Sequence, residues 1–288
     1  MSRAVLDSMY EALARWQWRR RRHAPSNDAA IELRKRLSPQ ADGDPAGPTN
    51  GAEGLDVWLR SLVGWRGGER VLDLGCGFGA SSLRAAAAGA SQCIGVTPSA
   101  FQVEKASELA ARRRLAAKCR FVAASFEQAP AGPFDVALAI EALAHADDLV
   151  SALRAVRDRL APAGVFVWVD DHRADAAACG DGDADVQELA RCWASPPLRT
   201  VASARASLAA AGLRLECEID LTGRVPFLTA RQNRWRRRLL QGLGAIAPLP
   251  AQRAVLRAFC GGLALERLYA RRACRYLVWM VRPVTSNA

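Results

Sequence analysis

The sequence predicts an α/β fold in which a mainly parallel sheet is covered by helices on both faces. From residue 55 onward, short apolar segments alternate with longer Ala-rich segments of helical pattern, which is typical of this class. The chain has 288 residues, of which 50% are hydrophobic, so it can bury a large core. No apolar stretch reaches the roughly 18 residues that a membrane span requires.

Each element follows from its local pattern. Seven strands are predicted from short apolar segments bounded by polar or turn residues: 70–75, 91–97, 119–123, 134–140, 164–170, 213–221 and 274–281. Helices are predicted where apolar residues recur about every 3.6 positions, at 54–64, 79–88, 99–116, 146–160 and 201–211. Residues 172–200 form a variable region, and 223–272 are mostly helical and basic.

The chain divides into four expected segments. Its N-terminal part has helical patterning and then a stretch dense in Pro, Gly, Asp and Asn, which is typical of a linker. The expected segments are an N-terminal helical segment with linker (1–53), a sheet core (54–222), a basic helical lid (223–272) and the last strand with a tail (273–288).

The cysteine pattern and the N-terminal sequence indicate the cellular compartment that we expect for the protein. The eight cysteines are scattered without a CxxC pair, which argues against a disulfide scaffold and against a structural metal site. The N-terminus lacks the apolar region of a secretory signal. We therefore expect a reduced, cytoplasmic, soluble protein with no metal.

Positive charge is concentrated at the end of the chain. The net charge is +11, and residues 221–288 hold 13 Arg but a single acid, Glu266. Within this region apolar residues at near-helical spacing are interleaved with arginines: Trp235, Leu239, Leu240 and Leu243 with Arg231, Arg234, Arg236, Arg237 and Arg238. Such a helix can hold an anionic group, lie on a membrane surface, contact nucleic acid or simply be solvated. A nucleic-acid partner is disfavoured because no RNA-binding module is recognisable.

A glycine-rich loop follows the first strand. In the sequence VLDLGCGFGAS, at 71–81, Gly75, Gly77 and Gly79 allow a tight turn and a close approach of backbone to a ligand. The spacing also satisfies the dinucleotide fingerprint GxGxxG/A. A nicotinamide enzyme would carry an acid at the end of the second strand, where this chain has Thr97 and Pro98.

Residues Asp73 to Gly79 match the D-x-G-x-G-x-G motif of class I S-adenosylmethionine-dependent methyltransferases. Three further segments match in order: GVTPSAFQ (95–102), FDVALAIEALAHADD (134–148) and LAPAGVFVWVDD (160–171). The chain most resembles the branch of cyclopropane-fatty-acid synthases and tocopherol and terpenoid C-methyltransferases, over about residues 60–282. This resemblance implies a Rossmann-like seven-stranded sheet with N-terminal helices, and a helical lid between the last two strands.

The resemblance also implies a cofactor, S-adenosyl-L-methionine, and the residues that hold it. Gly75 and Gly77 would face its methionine part, Thr97 and Gln102 its ribose, and Ser125 and Phe126 its adenine. The implied cofactor-binding set is Asp73, Gly75, Cys76, Gly77, Thr97, Gln102, Ser125, Phe126, Ile140 and His145. Relatives that form cyclopropanes have Glu where this chain has Ala144, so cyclopropane formation is disfavoured.

Candidate catalytic residues follow the fourth and fifth strands, where ligands of open α/β sheets bind. They are Glu141, His145, Asp171 and His172, with Asp170 beside them. An oxygen or nitrogen acceptor needs at most a base, whereas an alkene carbon also needs carboxylates or aromatic faces to stabilise a cation. The plainer interpretation is that Asp171 and His172 begin a loop, and that His145 packs on the cofactor.

The expected function is methyl transfer to a small apolar, isoprenoid-like or lipid-like substrate, with carbon as one candidate acceptor. An anionic head group on the substrate and a peripheral membrane contact are expected options. The alternatives are an O- or N-methyltransferase of another small molecule, an RNA methyltransferase, and a degenerate methyltransferase fold used as an interaction module. A nicotinamide oxidoreductase is the least favoured alternative, because the chain lacks the acid at the end of the second strand that would bind the ribose hydroxyls.

Overall fold

The computed structural model describes residues 11–19, 34–35, 37–38, 48, 51–175, 180 and 182–284. Its sheet has seven strands in the order β3-β2-β1-β4-β5-β7-β6. They are β1 (Arg70–Leu74), β2 (Gln92–Thr97), β3 (Cys119–Ala123), β4 (Phe134–Ile140), β5 (Leu160–Arg173), β6 (Leu213–Asp220) and β7 (Cys274–Pro283). Strands β1 to β5 are parallel, and β7 is antiparallel to both of its neighbours. The predicted fold class is confirmed.

Helices cover both faces of this sheet. The N-terminal helix α1 is described over residues 11–19. The others are α2 (Gly51–Leu62), α3 (Ala80–Ala87), α4 (Ala100–Arg112), α5 (Leu149–Arg157), α6 (Ala184–Trp193), α7 (Val201–Ala210), α8 (Ala230–Ile246) and α9 (Pro250–Ala270). Short 3-10 helices lie at Leu143–His145 and Thr222–Arg224. No helix in the described ranges is long and apolar enough to cross a membrane.

Two hydrophobic cores form because side chains alternate between the faces of each strand. Val71 of β1 packs into the core that contains α2, α3, α4 and α9, whereas Leu72 packs into the core that contains α5 and α7. Tyr276 and Leu277 of β7 divide in the same way. The order of strands reverses between β1 and β4, so a crevice is expected at their carboxyl ends.

The fifth strand is longer than the predicted 164–170. It extends from Leu160 to Arg173 because β7 pairs with its second half, with Asp171 opposite Tyr276 and Arg173 opposite Cys274. Asp171 and His172 therefore lie within a strand, and the expectation that they begin a loop is wrong. The polar residues that suggested a strand end are buried there instead.

Two other expected boundaries also move. Helix α5 is shorter than 146–160, because the Asp148 side chain caps it by accepting the Ser151 N–H at 3.0 Å. The variable region 172–200 contains α6, which Asp183 caps. Most of the expected N-terminal segment and linker, and the end of the tail at 285–288, lie outside the described residues.

The two helices between β6 and β7 form an antiparallel pair against α6. Thr229 and Gln232 form a capping box at the start of α8. Ion pairs then connect the insertion to α6: Arg237 with Glu188 at 3.0 Å, and Arg267 with Asp185 at 2.7 Å and Glu188 at 2.6 Å. These contacts fix the side of α8 that faces the protein.

Candidate functional site

A cavity of about 1010 Å³ lies at the carboxyl ends of the parallel strands. All ten residues of the expected cofactor-binding set line it, together with Glu141, Asp170 and Asp171. The sequence motifs, which are far apart in the chain, thus meet at one place. Pockets for drug-sized ligands have volumes of about 300–1,000 Å³, so this cavity lies at the top of that range.

The glycine loop forms one wall of the cavity. Gly75, Gly77 and Gly79 have φ angles of 75°, 54° and 80°, in the left-handed region that favours glycine. A Cβ atom on Gly75 would lie 2.5 Å from the Cβ of Ala142, and one on Gly79 would lie 2.6 Å from the Phe121 ring. The loop therefore depends on glycine at these two positions for both its conformation and its close packing.

Asp73 connects the loop to the helix that follows it. Its Oδ2 accepts hydrogen bonds from the Ser82 hydroxyl at 2.7 Å and from the Ser82 N–H at 3.2 Å. Burial raises the pKa of Asp73 to about 6, although the bonds from Ser82 oppose that shift. Asp73 thus stabilises the turn between β1 and α3 while one side of it faces the cavity.

Thr97 and Gln102 meet at the end of β2. The Thr97 hydroxyl donates to Gln102 Oε1 at 2.5 Å, and both side chains are buried. Because the amide oxygen is used in this way, the N–H groups of Gln102 are its remaining donors for a ligand hydroxyl. Helix α1 supports this corner, since Glu11 accepts the hydroxyl hydrogen bond of Ser99, the N-cap of α4, at 2.8 Å.

Ser125 and Phe126 lie after β3 and line the cavity together with Glu127. These are the two residues that the resemblance implies for the adenine. The exposed Glu127 carboxylate stands one residue further along the chain. It can accept a hydrogen bond from an amino group at that end of the cavity.

Five side chains form a largely buried ionic cluster at a second wall of the cavity, named here the Lys35 cluster: Lys35, Glu141, Asp171, Tyr269 and Tyr276. Glu141 and Asp171 line the cavity, and the other three contact these carboxylates. Lys35 Nζ donates to Asp171 Oδ2 at 2.6 Å, and the Lys35 backbone N–H donates to Glu141 Oε1 at 2.9 Å. Tyr276 donates its hydroxyl to Glu141 at 2.9 Å, and Tyr269 donates to Asp171. Each carboxylate therefore has both a lysine and a phenol as partners.

Burial and charge act in opposite directions in this cluster. Burial alone would lower the pKa of Lys35, but Asp171 and Glu141 outweigh burial and raise that pKa above its usual value. Burial raises the pKa of Asp171, and Lys35 opposes the rise. Glu141 itself has a φ of 53°, unusual for a residue with a side chain. Such strain is found where the surrounding structure holds a functional residue in place.

Asp170 and His145 stand next to the cluster. Burial raises the pKa of Asp170 to about 7, with a further rise from Asp171. Its oxygens accept the N–H groups of Ala144 at 3.0 Å, Asp171 at 3.0 Å and the Trp168 indole at 3.2 Å. Burial lowers the pKa of His145 to about 4, so its imidazole is neutral near pH 7.

Aromatic side chains complete the cavity. Trp16 from α1 contacts Phe259 from α9 edge to face, with ring centroids 5.1 Å apart. Trp193, at the end of α6, lies 6.0 Å from the His145 ring and donates its indole N–H to the Ala258 carbonyl at 3.0 Å. All three aromatic residues line the cavity. This side is therefore suited to an apolar molecule.

His172 does not belong to the site. Its side chain stacks on Trp279 at a centroid distance of 4.7 Å and is not among the cavity-lining residues. Burial, and to a smaller extent the positive charge of Arg275, lower its pKa to about 3. His172 points away from Asp171 because consecutive strand residues face opposite sides of a sheet. We therefore withdraw it from the catalytic candidates.

The α8 arginines are not placed to hold an anionic group of a substrate in the cavity. None of the α8 arginines lines it, and Arg34 is the one Lys or Arg among the described lining residues, against seven acids: Asp73, Glu127, Glu141, Asp147, Asp148, Asp170 and Asp171. Arg34 is engaged by Asp56, at 2.5 Å. Among the residues with described positions, no group of three or more His, Cys, Asp or Glu is arranged to hold a metal ion.

Sequence reasoning missed Trp193 and Phe259, which line the cavity. It also missed Lys35, Tyr269 and Tyr276, which hold the lining carboxylates Glu141 and Asp171. Lys35 lies in an N-terminal region whose helical pattern gave no sign of contact with strands 106 and 136 positions away. Trp193 lies in the region taken as variable. Tyr269 and Tyr276 lie on α9 and β7. Their one signal in the sequence was their residue type, because the hydroxyl of a buried tyrosine usually has a hydrogen-bond partner.

Comparison with known proteins agrees with the geometry. Residues 66–212, just over half of the chain, match the family described as "Methyltransferase domain". A sterol 24-C-methyltransferase of Aspergillus fumigatus is 34% identical over 111 residues, covering 38% of this chain and 29% of that protein. A tocopherol O-methyltransferase of Arabidopsis thaliana is 34% identical over 103 residues, covering 35% and 30%. The matched region thus spans less than a third of these two relatives.

Among solved structures, the fold resembles geranyl diphosphate C-methyltransferase from Streptomyces coelicolor A3(2). The TM-score is 0.63 at 15% identity, with 96% of this chain and 98% of that chain covered. That structure contains Mg²⁺, geranyl diphosphate and S-adenosyl-L-homocysteine. At this identity the likeness concerns the fold. On the family match over residues 66–212, the chain belongs to the methyltransferase-domain family.

Proposed function

We propose that the chain is an S-adenosylmethionine-dependent methyltransferase that acts on a small, neutral, apolar acceptor of isoprenoid or lipid type. The observation that carries this proposal is a single cavity with two unlike walls. One wall is the glycine loop with Thr97 and Gln102, and the other holds aromatic side chains and the two carboxylates of the Lys35 cluster, Glu141 and Asp171. A cofactor and an acceptor can thus meet inside one cavity of about 1010 Å³.

The residues of the first wall suit the cofactor. Gly75 and Gly77 line the cavity without side chains, so a ligand can approach the backbone of the loop there. Gln102 offers amide donors to ribose hydroxyls, and Glu127 accepts from an exocyclic amino group. S-adenosylmethionine supplies an activated methyl group, and the protein aligns the acceptor with it and excludes water.

The charge of the whole cavity, together with the aromatic side chains of the second wall, favours a neutral acceptor over an anionic one. Seven acids and one arginine line the cavity, so a diphosphate would meet mostly like charge unless it carried a divalent cation with it. Trp16, Trp193 and Phe259 offer apolar surface instead. The names of two relatives, which act on a sterol and on tocopherol, support the same class.

Carbon is the acceptor atom that this wall fits best. Methylation of an alkene carbon leaves positive charge on the substrate, which aromatic faces and fixed carboxylates stabilise. Glu141 and Asp171 provide such carboxylates, held in place by Lys35. O-methylation is the second candidate, because one relative is an O-methyltransferase and because the neutral His145 can accept a proton.

Calorimetric titration with S-adenosylmethionine, S-adenosylhomocysteine and NAD tests the cofactor. We expect the two sulfur compounds to bind and NAD not to bind. Gly75→Ala should abolish this binding, because its Cβ would collide with Ala142. Gly64→Ala is the matched control, since Gly64 has a similar φ of 66° but nothing within 4 Å of an added Cβ. Retained binding in Gly75→Ala, or NAD binding alone, would refute the proposal.

The substrate class is then tested with methyl-labelled cofactor. Sterols, quinones, neutral terpenoids and prenyl diphosphates are offered in parallel, the last with and without Mg²⁺. We expect label in neutral apolar products, on carbon as judged by NMR. Transfer to the diphosphates alone would contradict the assignment of a neutral acceptor. Cofactor binding without transfer to any acceptor would favour the non-enzymatic alternative.

A further inference from the structure

Helix α8 has one side fixed against the protein. Asn233 is buried there and donates its amide N–H to the Leu263 carbonyl at 3.0 Å and to Glu266 at 3.1 Å. On the same side, Arg237 pairs with Glu188 of α6 at 3.0 Å. These contacts set the rotation of the helix, so its remaining residues face outward in a defined order.

The outward side carries a stripe of large apolar residues, named here the α8 stripe: Trp235, Leu239, Leu243 and Ile246. Their exposed fractions are 64%, 46%, 42% and 77%. At about 100° per residue the four positions fall within an arc of about 80°. The described part of the chain leaves this apolar surface uncovered, and contiguous apolar surface of this kind marks an interaction site.

Arginines flank the stripe on both sides. Arg231, Arg234 and Arg238 lie along one edge, Arg236 lies along the other, and all four are exposed. Helix α8 contains no acid, and the single acid of residues 221–288, Glu266, faces inward toward Asn233. The outer side of the helix is thus apolar along its centre and uniformly positive along its edges.

We propose that α8 docks on an anionic lipid surface, with the α8 stripe in the boundary between headgroups and acyl chains. A helix with a cationic polar face and Trp and Leu on its other side lies in the plane of a membrane interface. The flanking arginines are then at the level of the lipid phosphates, where their charge is complementary. A second copy of the chain fits this side poorly, because a two-fold contact would oppose the two sets of arginines.

Docking goes beyond the proposed function and does not rest on it. It places the substrate cavity close to an apolar reservoir, because α9, the partner of α8, contributes Phe259 to the cavity wall. Phe259 is itself 41% exposed. An apolar acceptor, which is sparingly soluble in water, would then reach the site from the lipid.

Co-sedimentation with phosphatidylcholine vesicles, with and without phosphatidylglycerol, tests the proposal. We expect binding to the anionic vesicles and little to the neutral ones. Replacing Arg234, Arg236 and Arg238 by Gln should weaken partitioning by about 100-fold, from about 1 kcal/mol for each arginine near the surface. The matched control replaces three exposed cations elsewhere by Gln and should weaken it far less: Arg112, Lys118 and Arg120.

A second pair of variants tests the apolar part. Trp235→Ser combined with Ile246→Ser should weaken partitioning at least about tenfold, whereas Val57→Ser, at a residue that is 55% exposed on α2, should not. Equal losses in variant and control would mean adventitious attraction by net charge, and would overturn the proposal. So would self-association in analytical ultracentrifugation that the double variant abolishes. No cofactor is needed, so this test can fail without affecting the methyltransferase proposal.

Discussion

Removing the charge of Lys35 is the sharpest perturbation of Glu141 and Asp171, the carboxylates of the second cavity wall. In Lys35→Met the side chain keeps its length, but Asp171 loses its 2.6 Å donor and Glu141 loses a cation 3.5 Å away. The Lys35 side chain is 17% exposed and that of Asp171 only 3%. Water can therefore replace the ammonium group poorly, and the variant retains a buried carboxylate without its counter-charge.

The expected cost follows from this burial. Removing one partner of a buried ion pair costs about 3–5 kcal/mol, and we expect about 3 kcal/mol because Tyr269 and Tyr276 still donate to the two carboxylates. Urea denaturation at neutral pH measures it. Lys105→Met is the matched control, since Lys105 makes ion pairs of 2.7 and 2.6 Å with two exposed acids, Glu104 and Glu108. Its substitution should have no measurable effect.

The dependence on pH gives a second test of the same reasoning. Without Lys35, the pKa of Asp171 should rise further above its ordinary value, because burial then acts unopposed by the ammonium charge. A carboxyl with a raised pKa in the folded state costs stability only where it is ionised, so the deficit of Lys35→Met should shrink as the pH falls. The double variant with Asp171→Asn should recover most of the loss. An equal deficit at neutral and acid pH, or no deficit, would refute the argument.

Three further outcomes are expected. His172→Phe should leave cofactor binding unchanged by calorimetry. It should also remove a decrease of about 2 kcal/mol in the unfolding free energy as the pH falls from 6.5 to 5, because burial holds the pKa of the imidazole at about 3 in the folded state. Burial raises the pKa of Asp170 to about 7, so its ionisation alone should lower the unfolding free energy by about 4 kcal/mol between pH 3.8 and pH 7, opposite in sign to the effect of the buried histidines. Asp170→Asn should remove this contribution, measured as the difference from the wild type in urea titrations at each pH. Gln102→Leu should weaken cofactor binding about fivefold, whereas Gln92→Leu, at the far end of β2 from Thr97, should not.

The first wall of the cavity, with the glycine loop, Thr97 and Gln102, could be predicted from sequence because contacts between residues close together in the chain determine it. The glycines need positive φ angles, and their spacing between a strand and a helix is visible in the chain. Thr97 and Gln102 are five residues apart on either side of one turn, so their meeting also follows from local structure. The residues of this wall lie at the end of a strand with a plain apolar pattern or within a few positions after it.

The partners of Glu141 and Asp171 in the second wall could not be predicted in the same way, because they come from distant parts of the chain. Lys35 meets Asp171 across 136 positions, and Tyr269 reaches the same carboxylate across 98. The strand β5 looked complete at Asp170, since two acids in a row are unusual in a buried strand. They are stable there because partners arrive from distant segments, and no periodicity in the sequence marks those partners.

The hydrogen bonds of the carboxylates in the second wall also bear on which substrate atom is methylated. A phenol acceptor must give up its proton to a base, yet the oxygens of Asp170 already accept three N–H donors, and the imidazole of His145, with a pKa of about 4, is a weak base. Glu141 and Asp171 are likewise held by Lys35 and by phenols, which fixes their negative charge in place. Fixed charge of this kind stabilises a cation without needing to move a proton. The arrangement therefore fits an alkene carbon better than a hydroxyl, and an O-methylated product as the main outcome would show that one of these bases is released when substrate binds.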